Sequence, residues 1–485
     1  MGFRMIVPKR IKKKRTKDGQ EVLRCLEEFL KSDTVMEEPV EILCGFWEDQ
    51  QNAITYQELR KAVKAGGLTQ ETLKQWQQDY AYLVKTKLTP MWEKAMEVGA
   101  LKQPLVEAIA GGFVFQTQTP DILSWLRQRG AEFVTSCTTQ QKEAIAALVS
   151  KKMIEGHTVD ELARMIRPCI GLTKEQAKAN ARYYDHVAAT LKEKFPTMRP
   201  KTIQKRAQEA AGKYAERQHR ARAMTIAQTE SAFAYNHGAD EGIRQAQVQG
   251  LIGKTKKKWN TAGTDSVCKI CAELDGKEFE MDADFPLKGE PLFPGQHKLP
   301  PAHPRCGCAI EYIEIEPPKN IANNDISGII KLTEMEQQAL NHYFSFDSYV
   351  VNEKLRKNIE LNLLEQLMVN NLDSALKKMP RYNGILSRSL YFGDKLAVDK
   401  FLENFEIGNK ISFDEYISTT YAKELYNPDG EVQIFIKDAK NGRDVTSMNK
   451  QELEVLYERK SEFIVRNVVV HKDKWYILLE EYEDE

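Results

Sequence analysis

The sequence predicts a multidomain fold in which a mainly helical N-terminal region is followed by a short Cys- and His-bearing loop module and then by an α+β domain. The chain has 485 residues, which is too long for one ordinary hydrophobic core. Apolar residues recur at helical spacing through most of residues 21–258, and few β-branched runs interrupt them. Strand-like runs appear from residue 385 onward, so the two ends of the chain belong to different fold types.

Capping residues locate helix starts in the N-terminal region. Thr158 stands three positions before Glu161, and Thr173 stands three positions before Gln176. Such pairs satisfy free backbone N–H groups reciprocally in the first turn of a helix. We therefore expect a helical domain over residues 21–258, with two of its helices beginning directly after these threonines.

The charge of the chain is balanced overall but uneven locally. Lys and Arg together number 70, as do Asp and Glu, so the net charge indicates no partner. Residues 8–17 are dense in cations, and we expect residues 1–20 to form a solvated basic arm. Such an arm also suits contacts with nucleic-acid phosphates. No apolar run is long enough to cross a bilayer, so no membrane partner is expected.

The eight cysteines fall into two groups of four. The scattered group is expected to consist of free buried thiols, namely Cys25, Cys44, Cys137 and Cys169. The other group lies within residues 259–315, a stretch rich in Pro and Gly. Such a stretch buries little apolar surface for its length, so it needs another source of stability.

Two ligand pairs in this stretch predict a structural zinc site. Cys268 and Cys271 form a C-x-x-C knuckle, and a later H-P-R-C-G-C segment supplies an imidazole and two more thiols. Zinc takes four tetrahedral ligands, for which five residues compete: Cys268, Cys271, His303, Cys306 and Cys308. We expect the first two and Cys306 to bind, with either His303 or Cys308 as the fourth ligand. Reduced thiols without a metal, or a disulfide formed after cell lysis, are the alternative interpretations.

An ordered series of motifs runs from the last predicted helix of the N-terminal region through the cysteine module. It starts with R-A-M-T-I-A-Q-T-E at residues 222–230 and N-H-G at residues 236–238. It continues with W-N-T, L-D-G and P-P-A-H-P-R-C-G-C within residues 259–308. Over residues 220–313 the chain resembles the phage Mu protein F-like head morphogenesis proteins. The resemblance implies a minor capsid component that is associated with the portal, close to packaged DNA.

The motifs at residues 222–238 lie on one predicted helix, which we call the hallmark helix. Three of its polar residues have two interpretations. Thr229, Glu230 and Asn236 are residue types that catalytic sites use. We instead expect them to cap or brace the zinc-bearing loop, because polar residues on one helix face are usually structural.

The periodicity changes after a polar stretch at residues 316–331, which predicts a linker. Thr333 with Glu336 predicts a helix that continues through Tyr343. The domain expected over residues 332–485 then shows strand patterns at residues 385–392, 431–437, 463–470 and 475–479, the last two forming a hairpin.

Three spaced signatures lie in this C-terminal domain. They are Arg388, the run Ser418-Thr419-Thr420 and the pair Glu452-Leu453-Glu454. Their order resembles the Arg, Ser-Thr-Ser and Glu-x-Glu set of toxin-type ADP-ribosyltransferases, with Thr420 in place of the last serine. The N-terminal helices of that family are matched as well, by Tyr343, Tyr349, Asn352, Leu355 and Arg356.

The resemblance implies a role for each residue of the set, with NAD as the substrate. Glu454 would hold the ribose 2′-hydroxyl and stabilise an oxocarbenium-like transition state, and Ser418 would orient that carboxylate. Arg388 would pair with the pyrophosphate, beside Thr419 and Thr420. Glu452 would accept hydrogen bonds from an acceptor guanidinium, which implies arginine as the acceptor. We expect both glutamates on an exposed loop beside a cleft, on one side of an extended segment.

Together these patterns predict a phage minor head protein that carries a mono-ADP-ribosyltransferase. Its expected partners are the portal and other capsid proteins, packaged DNA through the basic arm, and a host protein with an acceptor arginine. Its expected locations are the virion and the host cytoplasm. The alternatives are a delivery module of a toxin aimed at other cells, and an inactive transferase fold retained as a structural part of the head.

Overall fold

The computed structural model describes residues 15–109, 113–154, 157–261, 267–287, 298–318, 332–344, 347–422, 424–448 and 453–482. The helices before residue 250 are α1 (Lys17–Lys31), α2 (Asp33–Ala53), α3 (Tyr56–Lys64), α4 (Gln70–Leu83), α5 (Thr89–Leu101), α6 (Pro104–Glu107), α7 (Pro120–Ile154), α8 (Val159–Ile166), α9 (Lys174–Lys194) and α10 (Pro200–Val248). The later helices are α11 (Lys269–Leu274), α12 (Glu334–Tyr343), α13 (Asp347–Arg356), α14 (Leu363–Lys378) and α15 (Lys395–Leu402). Most of the N-terminal region is therefore helical, as the periodicity predicts.

The strands form two sheets. A three-stranded sheet has the order β2 (Glu278–Glu280), β1 (Lys254–Asn260), β3 (Ala309–Glu316). An eight-stranded sheet has the order β5-β10-β11-β7-β4-β6-β9-β8. Its strands are β4 (Gly384–Leu390), β5 (Lys410–Phe413), β6 (Ile417–Thr420), β7 (Val432–Ala439), β8 (Arg443–Asp444), β9 (Glu454–Tyr457), β10 (Ser461–His471) and β11 (Lys474–Glu481).

The chain divides into two compact units. The described residues of Met1–Gly99, Leu126–Gly238 and Lys258–Glu311 make up the first unit. The second combines Ala100–Trp125, Ala239–Lys257 and Tyr312–Glu485, so it contains the large sheet together with two segments from earlier in the chain.

Helix starts in the first unit follow the local sequence. Thr158 caps α8 and Thr173 caps α9, each with a reciprocal hydrogen bond from the residue three positions later, so both predicted capping boxes are confirmed. A buried cluster that includes Leu59 of α3, Trp76 of α4 and Ile166 of α8 packs these three helices together. The apolar faces that the periodicity marks thus supply the core of this unit.

Two glycines allow α5 and α10 to cross at very short range. A Cβ atom built on Gly238 would lie 2.1 Å from the carbonyl oxygen of Met96. One built on Gly99 would lie 2.0 Å from the carbonyl oxygen of Tyr235. No side chain fits at either place, so the glycine of the N-H-G motif is required by backbone packing.

Thr229 contacts the cysteine-bearing loop as expected, whereas Glu230 and Asn236 of the same helix bind groups outside that loop. Thr229 accepts a hydrogen bond from the backbone N–H of Arg305 at 3.0 Å, so it holds the H-P-R-C-G-C loop. Glu230 is buried and accepts a hydrogen bond from Arg129 Nε of α7 at 2.9 Å, forming an ion pair within the first unit. Asn236 donates to the carbonyl of Ala232 in its own helix at 2.8 Å.

The last residues of the basic run are folded into the first unit. Arg15 donates to Thr261 Oγ1 at 3.2 Å, and Thr16 donates to Glu311 Oε1 at 2.6 Å while it caps α1. The folded chain thus begins before residue 21. The preceding cations of the run, up to residue 14, lie outside the described residues.

The large sheet of the second unit separates two apolar cores. Val455 and Tyr457 of β9 belong to the cluster on one face, whereas Leu456 between them packs on the other face with α12 and α14. Thr333 and Glu336 form the predicted capping box at the start of α12. The predicted hairpin is also confirmed, because β10 and β11 pair antiparallel up to His471 and Lys474.

The remaining sequence expectations concern thiols and membranes. Cys25, Cys137 and Cys169 are buried thiols outside any disulfide, as expected, and Cys44 is a thiol that is only half-buried. Among the residues that the structure describes, no helix is both long and apolar enough to span a bilayer.

Candidate functional site

Three adjacent strands bring the signature residues of the C-terminal domain together. Arg388 lies on β4, Ser418 on β6 and Glu454 on β9, and these strands are neighbours in the sheet. In the β6–β9 register, Ser418 pairs with Leu456 and Glu454 pairs with Thr420. Ser418 and Glu454 are therefore diagonal neighbours on one face, within reach of each other's side chains.

The carboxylate of Glu454 is held in place by Ser418. The hydroxyl of Ser418 donates to Glu454 Oε1 at 2.5 Å. Only 4% of the Glu454 surface is exposed, so few orientations are open to its side chain. A carboxylate fixed in this way is suited to stabilise positive charge that develops in a bound substrate.

Arg388 lies beside the same pair. Its Nη1 donates to the carbonyl oxygen of Ser418 at 2.9 Å. Burial lowers the pKa of Arg388 from its ordinary value, but guanidinium groups lose their proton only far above neutral pH, so a positive charge remains at the site. A forked cation of this kind suits a bidentate anion such as a phosphate.

Residues of α12 and α13 complete the surroundings of these side chains. Asn352 donates to the hydroxyl of Tyr343 at 3.3 Å and accepts from the backbone N–H of Tyr416 at 3.2 Å. Burial raises the pKa of Tyr343 to about 12, so the phenol stays neutral and can donate a hydrogen bond. Asn352 thus connects Tyr343 of α12 to the backbone at Tyr416, two residues before Ser418.

One charged pair at the site was not foreseen from the sequence. Arg356 of α13 binds Glu415 through Nε and Oε1 at 2.7 Å. The side chain of Glu415 is 8% exposed and that of Arg356 is 55% exposed. No local sequence motif marks Glu415. The turn before β6 brings it to Arg356 of α13, which is 59 positions away in sequence.

The hydroxyls of the two threonines after Ser418 bind protein main chain. Thr419 Oγ1 donates to the carbonyl oxygen of Val455 at 2.7 Å, and Thr420 Oγ1 donates to that of Leu453 at 3.3 Å. Both side chains are buried. They tie β6 to the segment that carries Glu454, and their expected role in holding NAD stays a prediction.

Of the two glutamates of the Glu-x-Glu pair, the structure describes Glu454 only. Glu454 lies on a buried strand, so the expectation of an exposed loop is wrong for this residue; pairing of β9 with β6 covers it. Leu453 has a φ of 47°, so the backbone between the two glutamates is not extended and the argument from side-chain alternation does not apply. A leucine in this conformation is strained, as residues at functional sites often are. Glu452 itself lies outside the described residues.

The cysteine module of the first unit forms a separate cluster. Ligand atoms of Cys268, Cys271 and His303 lie within 4.8 Å of one another, and so do those of Cys271, Cys306 and Cys308. The sulfur of Cys271 is 3.4 Å from His303 Nε2 and 3.7 Å from the sulfur of Cys306. All five predicted ligands are thus brought together.

These spacings fit a tetrahedral metal site. Bond lengths of about 2.3 Å to sulfur and about 2.0 Å to nitrogen imply ligand separations of about 3.8 Å and about 3.5 Å. His303 Nδ1 lies 2.9 Å from the carbonyl oxygen of Pro304, which places its proton on Nδ1 and leaves Nε2 free as a ligand. The cluster can therefore hold a metal ion.

Comparisons with known proteins agree with both resemblances. Residues 320–483, which include Arg388, Ser418 and Glu454, match the family model of the ADP-ribosyltransferase exoenzymes. Residues 143–311 match the family model described as Phage Mu protein F like protein. The chain thus contains one segment similar to a phage head family and a second segment similar to the ADP-ribosyltransferase exoenzymes.

Solved structures similar to this chain include two exoenzymes and an ADP-ribosyltransferase toxin. Exoenzyme S from Pseudomonas aeruginosa, in complex with human 14-3-3 protein beta and bound to Carba-NAD, is 22% identical; the match covers 32% of this chain and 77% of that chain, with a TM-score of 0.27. The Clostridium limosum C3 exoenzyme is 20% identical, with 32% and 88% covered and a TM-score of 0.27. The Vis toxin from Vibrio splendidus is 18% identical, with 31% and 75% covered and a TM-score of 0.26. No curated protein matches the chain.

Proposed function

We propose that this chain is a portal-associated minor head protein of a phage that carries an active mono-ADP-ribosyltransferase. The enzyme travels with the virion and transfers ADP-ribose from NAD to an arginine of a host protein after delivery into the host cytoplasm. The observation that carries the enzymatic part is the hydrogen bond from Ser418 to the buried carboxylate of Glu454, with the cation of Arg388 beside it. The match of residues 143–311 supports capsid proteins as partners.

The side chains divide the reaction between them. Arg388 binds the pyrophosphate of NAD, because its forked guanidinium matches phosphate oxygens. Glu454, held by Ser418, faces the ribose as the glycosidic bond to nicotinamide breaks and stabilises the positive charge on the sugar. The acceptor then attacks the sugar carbon from which nicotinamide departs, and it releases its proton to a base.

An inactive, purely structural domain is a weaker interpretation of the same residues. Glu454 is a buried carboxylate, and removing a charged group from water costs stability that an apolar side chain would not cost. Drift in a domain without activity would be expected to replace it by an apolar residue. Delivery as a toxin against other cells remains compatible with the same site, since both routes use the same chemistry.

Glu452 is proposed to select arginine as the acceptor, and its replacement tests this. With labelled NAD and host lysate, the wild type should label a discrete host protein. Glu452→Gln should reduce that labelling about a hundredfold, because it removes a charge-assisted hydrogen bond to the guanidinium, and should largely spare hydrolysis of NAD by water.

Glu458→Gln is the matched control, because this nearby carboxylate binds Arg443 and is not assigned to the acceptor. It should leave both activities unchanged. Equal loss of labelling and hydrolysis in Glu452→Gln would contradict the acceptor role, and absence of any NAD turnover in the wild type would contradict the proposed enzyme.

The Cys/His cluster is proposed to bind a structural zinc ion through Cys268, Cys271, His303 and Cys306. Cys271 belongs to both groups of ligand atoms. The contact of His303 Nδ1 with the carbonyl of Pro304 favours Nε2 of His303 as the nitrogen ligand. When bound, zinc would crosslink α11, which carries Cys271, to the H-P-R-C-G-C loop. The loop is further held by Thr229 of the hallmark helix.

Elemental analysis of freshly reduced protein prepared without chelators should find about one zinc per chain. Cys271→Ser should abolish zinc binding and lower the stability of the first unit. Cys308→Ser should retain the metal, and Cys44→Ser, outside the cluster, should behave as the wild type. Zinc-free wild-type protein would overturn the assignment, and loss of zinc in Cys308→Ser would make Cys308 the fourth ligand instead of His303.

A further inference from the structure

A short segment from outside both family matches lies against the transferase sheet within the second unit. We call residues 113–118 the strap; they precede α7, whereas the matches cover residues 143–311 and 320–483. Both the strap and the sheet belong to the same compact unit. The strap is thus a part of the transferase unit that the resemblance to the family does not include.

Gln245 of α10 and Gln249, the first residue after that helix, hold the strap by its main chain. Gln245 donates to the carbonyl of Gln116 at 3.0 Å and accepts from its N–H at 2.8 Å. Gln249 donates to the carbonyl of Val114 at 2.8 Å and accepts from its N–H at 3.4 Å. Because these bonds involve only the strap's backbone, its path does not depend on which side chain stands at position 116.

The side chain of Gln116 makes a different contact. Its Nε2 donates to the carbonyl oxygen of Ala422 at 3.2 Å. Ala422 lies two residues after Thr420, at the start of the connection between β6 and β7. Gln116 therefore reaches the main chain directly beyond the strand that carries Ser418.

A chain of hydrogen bonds continues from Ala422 to the segment that carries Glu454. The backbone N–H of Ala422 donates to Thr420 Oγ1 at 3.0 Å, and that hydroxyl donates to the carbonyl of Leu453 at 3.3 Å. The N–H of Tyr421 also donates to the carbonyl of Leu453, at 3.3 Å. Leu453 is the strained residue directly before Glu454.

We propose that Gln116 is a positioning residue of the transferase site, through which the strap fixes the connection after β6 and thereby the main chain at Leu453 and Glu454. A residue with a positive φ persists only where its surroundings hold it, and Gln116 adds the outermost bond of the set that does so. A segment that lies 306 positions before Ala422 in the sequence thus helps to hold the main chain of the transferase site.

The inference rests on the proposed function, and Gln116→Ala in the full-length protein tests it. The main-chain bonds to Gln245 remain, so the strap stays in place while the bond to Ala422 is lost. We expect kcat for NAD hydrolysis to fall about fivefold, the effect of one neutral hydrogen bond, with the KM for NAD unchanged because Arg388 is not affected. Hydrogen exchange at Tyr421 and Ala422 should become faster.

Gln118→Ala is the matched control on the same strap. Its side chain accepts a hydrogen bond from the hydroxyl of Tyr476 at 3.4 Å and does not reach Ala422. This variant should leave kcat, KM and exchange at Tyr421 unchanged. Equal kinetics and exchange in Gln116→Ala and the wild type would overturn the proposal, as would equal effects of the two variants. If the wild type hydrolyses no NAD, the proposed function fails, and the exchange data still decide whether Gln116 holds the connection.

Discussion

Glu454→Gln is expected to abolish NAD hydrolysis and protein labelling together, each by at least about a hundredfold. In the proposed mechanism every reaction of the site passes through cleavage of the glycosidic bond, where the carboxylate would stabilise positive charge on the ribose. Glutamine keeps the shape and can still accept the hydrogen bond from Ser418, but it carries no charge. Rates with labelled NAD, with and without host lysate, measure both activities.

The fold should survive this change, which separates chemistry from stability. Removing one buried carboxylate while keeping its hydrogen bond leaves β9 paired with β6, so the thermal midpoint should be close to that of the wild type. Glu462→Gln is the control, because this carboxylate lies on β10 in an exposed ion pair with Lys410. Wild-type hydrolysis by a folded Glu454→Gln protein would remove this residue from the reaction.

Gly238→Ala is expected to destabilise the first unit by about 3 kcal/mol. The new methyl group would lie 2.1 Å from the carbonyl oxygen of Met96, so α5 and α10 would have to separate. That oxygen belongs to a helix backbone, which cannot turn aside as a flexible side chain can. Urea unfolding with a probe in the first unit measures the change.

Gly212 offers an internal control on the same helix. A Cβ atom there would meet no atom within 4 Å, so Gly212→Ala should stabilise α10 by up to about 1 kcal/mol through helix propensity alone. The two substitutions are chemically identical, and their opposite effects would isolate the close crossing as the cause. A similar small gain from both would mean that α5 does not approach Gly238 at this distance. If Gly238→Ala cannot be purified folded, Gly99→Ala, which meets the same crossing, should fail likewise while Gly212→Ala folds.

Local features were determined by the sequence because they depend on neighbours a few residues apart. The helix starts after Thr158, Thr173 and Thr333 follow from side chains that reach backbone N–H groups three positions on. The final hairpin follows from two apolar strand patterns around a short polar turn. Composition alone also indicated that the cysteine module lacks a sufficient core.

The members of the candidate transferase site could be named from the sequence, but their environment could not. The spaced signatures identified Arg388, Ser418 and Glu454. They did not show that Glu454 is buried on a strand, because burial depends on which strand pairs beside it. Nor did they show the positive φ of Leu453, which breaks the alternation expected for the two glutamates.

The contacts between distant segments were decided only by the tertiary structure. Glu415 meets Arg356 across 59 positions, and Gln116 meets Ala422 across 306 positions. Neither glutamine nor glutamate has a local pattern at these places, since each contact needs only one donor and one acceptor brought close by packing. The sequence by itself determined the helices, the hairpin and the residue types of both candidate sites, because propensity and spacing act locally. The pairing order of the strands and the crossing of α5 with α10 decided the rest, because they set which distant groups share one small volume.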